Sequence, residues 1–188
     1  MLTSLRERVL TAGVLGAAAA IFAATPALGA SVPVTATVNA GSLTLSSSAT
    51  PSLSVTLNGT DQTPTYTVPM AANDETGSGS GWHLTITSTQ FTTGGATPRT
   101  LSTSASSITA VSASCTHGTC TNPTNGTSYP LGVPAGASPP TPVTFYNAAA
   151  NTGMGDFTVT PTVEVSVPAN AYAGTYTSTL TLAVVSGP

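Results

Sequence analysis

The chain has 188 residues, and only 5% of them are charged; six acids face three bases, for a formal net charge of −3. There is no lysine, and two of the three arginines, Arg6 and Arg8, precede the first apolar run. Nucleic acid binding needs several Lys or Arg to displace counterions, so that class is excluded. Attraction to anionic lipid fails for the same reason. Hydroxyl side chains must supply the solubility that surface charge usually supplies.

In chain order, the first segment is expected to be a signal peptide over residues 1–30. Arg6 and Arg8 give a positive start, Val9 to Ala24 is apolar, and Thr25-Pro26-Ala27-Leu28-Gly29-Ala30 supplies small residues for cleavage after Ala27, Gly29 or Ala30. The apolar run is shorter than the ~20 residues of a spanning helix, so no membrane segment is expected in the mature form. No cysteine stands near the cut to carry a lipid. The remainder, residues 31–188, has the size of one domain, large enough to bury roughly 70% of the surface of its unfolded chain. In it Arg99 is the one base against Asp61, Asp74, Glu75, Asp156 and Glu164, a net charge of −4.

From Ser31 onward a period of two dominates, the signature of half-buried strands. Val32, Val34, Ala36 and Val38 alternate with Pro33, Thr35 and Thr37; Leu43 and Leu45 follow, then Leu53, Val55 and Leu57. Residues 71–81 are expected to be a long Gly-rich loop. It runs into Trp82, Leu84 and Ile86 on one strand face, with His83, Thr85 and Thr87 opposite. Ile108 to Ser114 is a weaker strand, residues 115–142 a second long loop, and Val143 to Tyr146 a short strand. Phe157 and Val159 begin a run continued by Val163, Val165 and Val167, with Pro161 marking an edge or bulge. Last, Leu180, Leu182 and Val184 oppose Thr177, Thr179 and Thr181. Asn58-Gly59, Gly94-Gly95, Asn125-Gly126 and Ala173-Gly174 punctuate the runs. With no amphipathic helical window after the leader, the expectation is an all-β single domain, a β-sandwich or jelly-roll-like fold.

Candidate chemistry is sparse. Cys115 and Cys120 bracket His117; in an exported protein a local disulfide is the default, and a metal site would need a fourth ligand that does not stand nearby. The two histidines, His83 and His117, lack a Gly-x-Ser-x-Gly partner, and the few carboxylates form no glycosidase pair. No catalytic residues, metal or cofactor are therefore assigned. Asn73-Asp74-Glu75-Thr76 could offer oxygens to calcium, but a calcium site gathers more carboxylates at fixed spacing. The Thr-x-Thr pairs need no ice-facing role, because Thr is a good strand residue. Trp82, the single tryptophan, has two readings: a core anchor with its N–H bonded at the sheet margin, or a partly exposed ring on which a sugar stacks.

Asp74-Glu75-Thr76-Gly77-Ser78-Gly79-Ser80-Gly81-Trp82-His83-Leu84 resembles the first signature of the WxL cell-wall surface domain, an acidic, Gly-rich loop leading into Trp-x-Leu on a strand. Val167 to Leu182 resembles that family's closing segment. The family usually repeats Trp-x-Leu in its last strand, where this chain has Leu182-Ala183-Val184. The resemblance implies a secreted, non-catalytic protein of the cell surface, held non-covalently on cell-wall peptidoglycan and associated with other surface proteins. It places Trp82 and Leu84 at or near the glycan site, with Asp74 shaping the loop. No sortase-type signal stands at the end of the sequence, in keeping with non-covalent attachment. The alternative is a self-assembling fibre or surface-layer subunit, in which Ser31 to Asn39 completes a neighbour's sheet; otherwise that segment pairs within its own sheet.

Overall fold

A computed structural model describes residues 30–188, so the expected signal peptide lies, but for Ala30, outside the described residues. The chain divides into a unit ending at Thr37 and a larger unit from Val38 to Pro188. In the first, the described residues form no strand and are all exposed. This differs from the alternating strand expected over Ser31–Asn39. Alternation gives a segment two faces, but its backbone groups still need a partner edge before a ladder forms.

The larger unit is all-β, with no helix among the described residues. Its strands are β1 (Leu43–Ser46), β2 (Thr65–Thr67), β3 (Met70–Asp74), β4 (Trp82–Thr89), β5 (Ser106–Thr121), β6 (Leu131–Gly132), β7 (Ala135–Gly136), β8 (Val143–Ala148), β9 (Met154–Val165) and β10 (Leu180–Ser186). One sheet runs β1-β3-β9-β5-β6, with β2 also on β9; the other is centred on β4, with β10 on one edge and β8 and β7 on the other. Every pairing is antiparallel except the short β4–β7 contact.

The period of two in the sequence becomes the sandwich core. Trp82, Leu84 and Ile86 of β4 and Phe145 of β8 pack with Met70 and Ala72 of β3, Ile108 of β5, and Phe157, Val159 and Val163 of β9. Pro161 lies in the central strand β9, not at an edge. Its missing N–H is tolerated because its neighbours change there: β3 pairs up to Val159, β2 begins at Thr162, and the Pro161 carbonyl accepts from Val68 N at 3.1 Å. On its other side the ladder is irregular between Ile108 and Ala110, the bulge that the proline announced.

Three local expectations change. Residues 71–81 are not all loop, because Met70–Asp74 pairs with both β1 and β9. Residues 115–121 continue β5, because β9 extends far enough to pair with them; their mostly exposed Thr, His, Gly and Cys residues carry no hydrophobic pattern to reveal it. Leu53, Val55 and Leu57 belong to no strand. Their alternation survives only in burial, Leu53 and Val55 packing against Val165, Val167, Leu101 and Ala105 in a second, smaller cluster.

Candidate functional site

At the end of the sandwich where β4 begins, three chain segments meet over Trp82: the loop after β3, the turn between β8 and β9, and the disulfide-closed end of β5. The indole is 0% exposed. Its Nε1 donates to the Gly153 carbonyl at 2.8 Å, and its ring lies 5.9 Å from that of Tyr146 at 35°. Leu84, two residues on, is also fully buried. Of the two readings of Trp82 the core anchor is the one realised; the ring offers no face to a sugar and acts on the surface from beneath.

Asp74 is 4% exposed and closes the start of the Gly-rich loop. Its Oδ1 accepts from Thr76 N at 3.1 Å and Thr76 Oγ1 at 2.6 Å. The hydroxyl chain continues from Thr76 Oγ1 to Ser78 Oγ at 2.9 Å, and Ser80 N donates to Ser78 Oγ at 3.2 Å. Asp74 thus organises a row of hydroxyls and does not face solvent. The loop is also tied at its base, where Glu75 N donates to Ser42 O and Gly41 N to Glu75 O.

The facing turn is the part that sequence reasoning missed. Asn151 N donates to Gly79 O at 2.8 Å, so the two loops join backbone to backbone. Asn151 is the one described non-glycine with positive φ, 63°; Asn tolerates that region better than most residues. Gly153 follows at φ 73°, and a Cβ there would lie 2.7 Å from Trp82 Nε1. Only glycine lets the backbone approach the indole closely enough to accept its hydrogen bond. Asn151-Thr152-Gly153 was a readable turn signal, but its partner, Gly79, lies far away in sequence.

The third segment carries the Cys115–Cys120 disulfide. Gly153 N donates to Thr121 O at 2.8 Å, Thr124 N to Thr152 Oγ1 at 3.1 Å, and the exposed His117 Nδ1 stands 2.6 Å from Asp156 Oδ2. Beneath, Tyr129 donates to Phe145 O at 2.7 Å. Burial pushes the Tyr146 phenol up to about 12 and also raises Tyr129, against a smaller lowering by its bond to Asn125. Neither tyrosine is an acid–base group at neutral pH. The result is a surface mainly of hydroxyls, amides and backbone groups, joined by the exposed Glu75 carboxylate and the His117–Asp156 pair, able to hydrogen bond a polar ligand.

β10 pairs with β4 so that Ser186 faces Trp82 and Val184 faces Leu84. The Leu182-Ala183-Val184 triplet therefore faces Ile86-Thr85-Leu84, sharing only Leu84 with the Trp82-His83-Leu84 segment, on the strand next to it. Gly187 N closes the register on Gly81 O at 2.9 Å, and His83 Nδ1 meets Gly187 O at 2.7 Å.

Toward the other end of β4 and β10 lies a separate cleft of ≈ 1080 Å³, between residues 47–57 and residues 171–182. At its rim the Arg99 guanidinium stacks 3.8 Å above the Tyr172 ring. None of the residues singled out in the sequence for ligand binding lines it.

The family model described as WxL domain, surface cell wall-binding, matches residues 31–188. No curated protein and no solved structure matches the chain.

Proposed function

Because the chain belongs to the WxL domain family of surface, cell wall-binding domains, we propose that it is held on the wall non-covalently and without catalysis, by the loop cluster above Trp82 binding peptidoglycan glycan. In this reading the leader, residues 1–30, directs export and is removed, and residues 31–188 act as one secreted domain. The observation that carries the proposal is the double tie of the two loops. Trp82 Nε1 holds Gly153 from below and Asn151 N holds Gly79 from the side, so Ser78, Ser80 and Asn151 are presented as one surface.

The physics suits an uncharged polysaccharide. Preformed loops lose little conformational entropy on binding, and a sugar offers many hydroxyls but no charge to be matched. Trp82 and Leu84 serve as the base of the site, and Asp74 fixes the loop through Thr76. The non-catalytic reading is supported by the histidines: among the described residues neither hydrogen-bonds a serine, threonine or cysteine side chain, His83 Nδ1 meeting Gly187 O and His117 Nδ1 meeting Asp156 Oδ2.

The test is co-sedimentation of the exported protein with purified peptidoglycan sacculi, comparing the native sequence with a Ser78→Ala, Asn151→Gly double variant. Glycine at 151 keeps the positive φ while removing the amide. The native protein is expected in the pellet, and the variant in the supernatant with unchanged buried-tryptophan emission. Equal pelleting of both removes the loops from the binding surface. Release of soluble muropeptides during incubation would contradict the non-catalytic part.

A further inference from the structure

The cleft between residues 47–57 and residues 171–182 is shaped like a place for a missing strand. β10 ends its sheet: among the described residues it pairs with β4 alone, and no described strand is hydrogen-bonded to its other edge, which β1 approaches without pairing. Across the cleft, residues 48–57 make no backbone–backbone hydrogen bond among the described residues. The floor is apolar, with Leu53, Val55, Tyr66, Phe91, Leu180 and Leu182 among its lining. Solvated edges and apolar floors of this kind pair readily with another chain.

The same chain carries a segment with the complementary pattern. Val32, Val34 and Val38 are 79%, 90% and 94% exposed. With Ala36 they occupy alternate positions, so in an extended conformation all four side chains share one face. Ser31–Asn39 is uncharged, as is the cleft floor, so docking would desolvate no charge. Pro33 lacks an N–H, which a strand tolerates when its ladder runs through Val34, Ala36 and Val38. At ~3.4 Å per residue the segment spans on the order of 30 Å.

We propose that Ser31–Asn39 of a second copy of this chain lies in the cleft as an added strand on the unpaired edge of β10, with Val32, Val34, Ala36 and Val38 facing its floor. This is strand addition, in which main-chain hydrogen bonds supply affinity and alternate side chains supply register. Donor and acceptor are different surfaces, so the contact is head-to-tail and propagates into a thread unless it closes into a ring. The loop cluster above Trp82 takes no part, and the proposal stands or falls apart from wall binding.

The full sequence is expressed in a bacterial secretion host and the exported protein purified. Light scattering of the native protein is expected to give a molar mass rising with concentration through multiples of the monomer, with threads in electron micrographs. Val34→Asp places a charge in the apolar floor and is expected to weaken assembly at least tenfold while leaving sacculus pelleting unchanged. The variant's vacant cleft should bind a fluorescent peptide of sequence Ser31–Asn39 and refuse the same peptide carrying Val34→Asp. A native protein that stays monomeric at all concentrations overturns the proposal. So does a monomer whose own Ser31–Asn39 is protected from protease, which would put the strand in its own chain's cleft. Displacement of the peptide by N-acetylglucosamine oligomers, with no assembly, would assign the cleft to glycan and overturn it equally.

Discussion

The two ends of β4 differ in how their neighbours are held. At the Trp82 end every approaching segment is fastened: the Gly-rich loop to Ser42 and Asn151, the β8–β9 turn to the indole and to Thr121, and the chain beyond β10 to Gly81. At the Ser88 end, residues 48–57 line the cleft with no backbone–backbone hydrogen bond among the described residues, their backbone held only at Ala49 N by Ser47 Oγ and at Thr56 O by Gln62 Nε2. One end is a finished surface that can recognise a ligand with little rearrangement. The other has a strand edge to which no described strand is paired. In the two proposals made above, the first end serves hydrogen bonding to glycan and the second chain-to-chain pairing.

The largest effect that can break this comparison is removal of the ring under the fastened end. Trp82→Ala is expected to cost about 3–5 kcal/mol in chemical denaturation, as large aromatic truncations in cores do. Leu53→Ala, in the half-buried wall of the open cleft, should cost under about 2 kcal/mol, since a site already partly open leaves a smaller cavity. Equal costs would mean that the two ends are equally packed. Trp82→Phe refines the point: it keeps most of the apolar volume but leaves the Gly153 carbonyl without its donor, for roughly 1–3 kcal/mol.

Disulfide reduction should be smaller. Cys115 and Cys120 close a short loop, five residues apart in sequence, and chain-entropy reasoning gives about 2 kcal/mol at most. The bridge braces the exposed end of β5, so the loss should appear as faster amide exchange around Thr116–Thr121 and hardly at all in the core.

Alkaline pH touches both ends. Burial pushes Tyr66, on the cleft, and Tyr146, beside Trp82, from 10.0 up to about 12. The unfolded chain therefore gives up these protons first. Their contribution is complete below pH 10 and is lost as pH rises from about 10 toward 12. Denaturation midpoints should be insensitive to these groups up to about pH 9.5 and then fall. A docked strand over Tyr66 would bury the phenol further, so the fall would still begin near pH 10 but be larger in the assembled protein than in Val34→Asp.

Much of this fold was legible because its strands are half-buried, and half-burial writes a period of two into the sequence. The strands containing Trp82, Phe157 and Leu182 could be read that way; the short disulfide was read instead from two close cysteines in a chain expected to be exported, and burial takes up one of the two readings of Trp82. What escaped depends on pairing between distant segments. The end of β5 is a strand only because β9 reaches it, and its exposed hydroxyl residues have no apolar face to show. Leu53 and Val55 have the pattern but no neighbouring edge. The loop cluster had one half in plain view, Asp74 through Trp82. The other half, Asn151 to Gly153, reads as an ordinary turn until the fold sets it against Gly79.

The most direct test of the account is the amide NMR spectrum of the Val34→Asp protein titrated with soluble muropeptides. The account predicts shifts at Gly77–Gly81 and Asn151–Gly153, with Ser52–Leu57 and Tyr172–Thr179 quiet. Shifts confined to the cleft, with the loops above Trp82 unmoved, would contradict it.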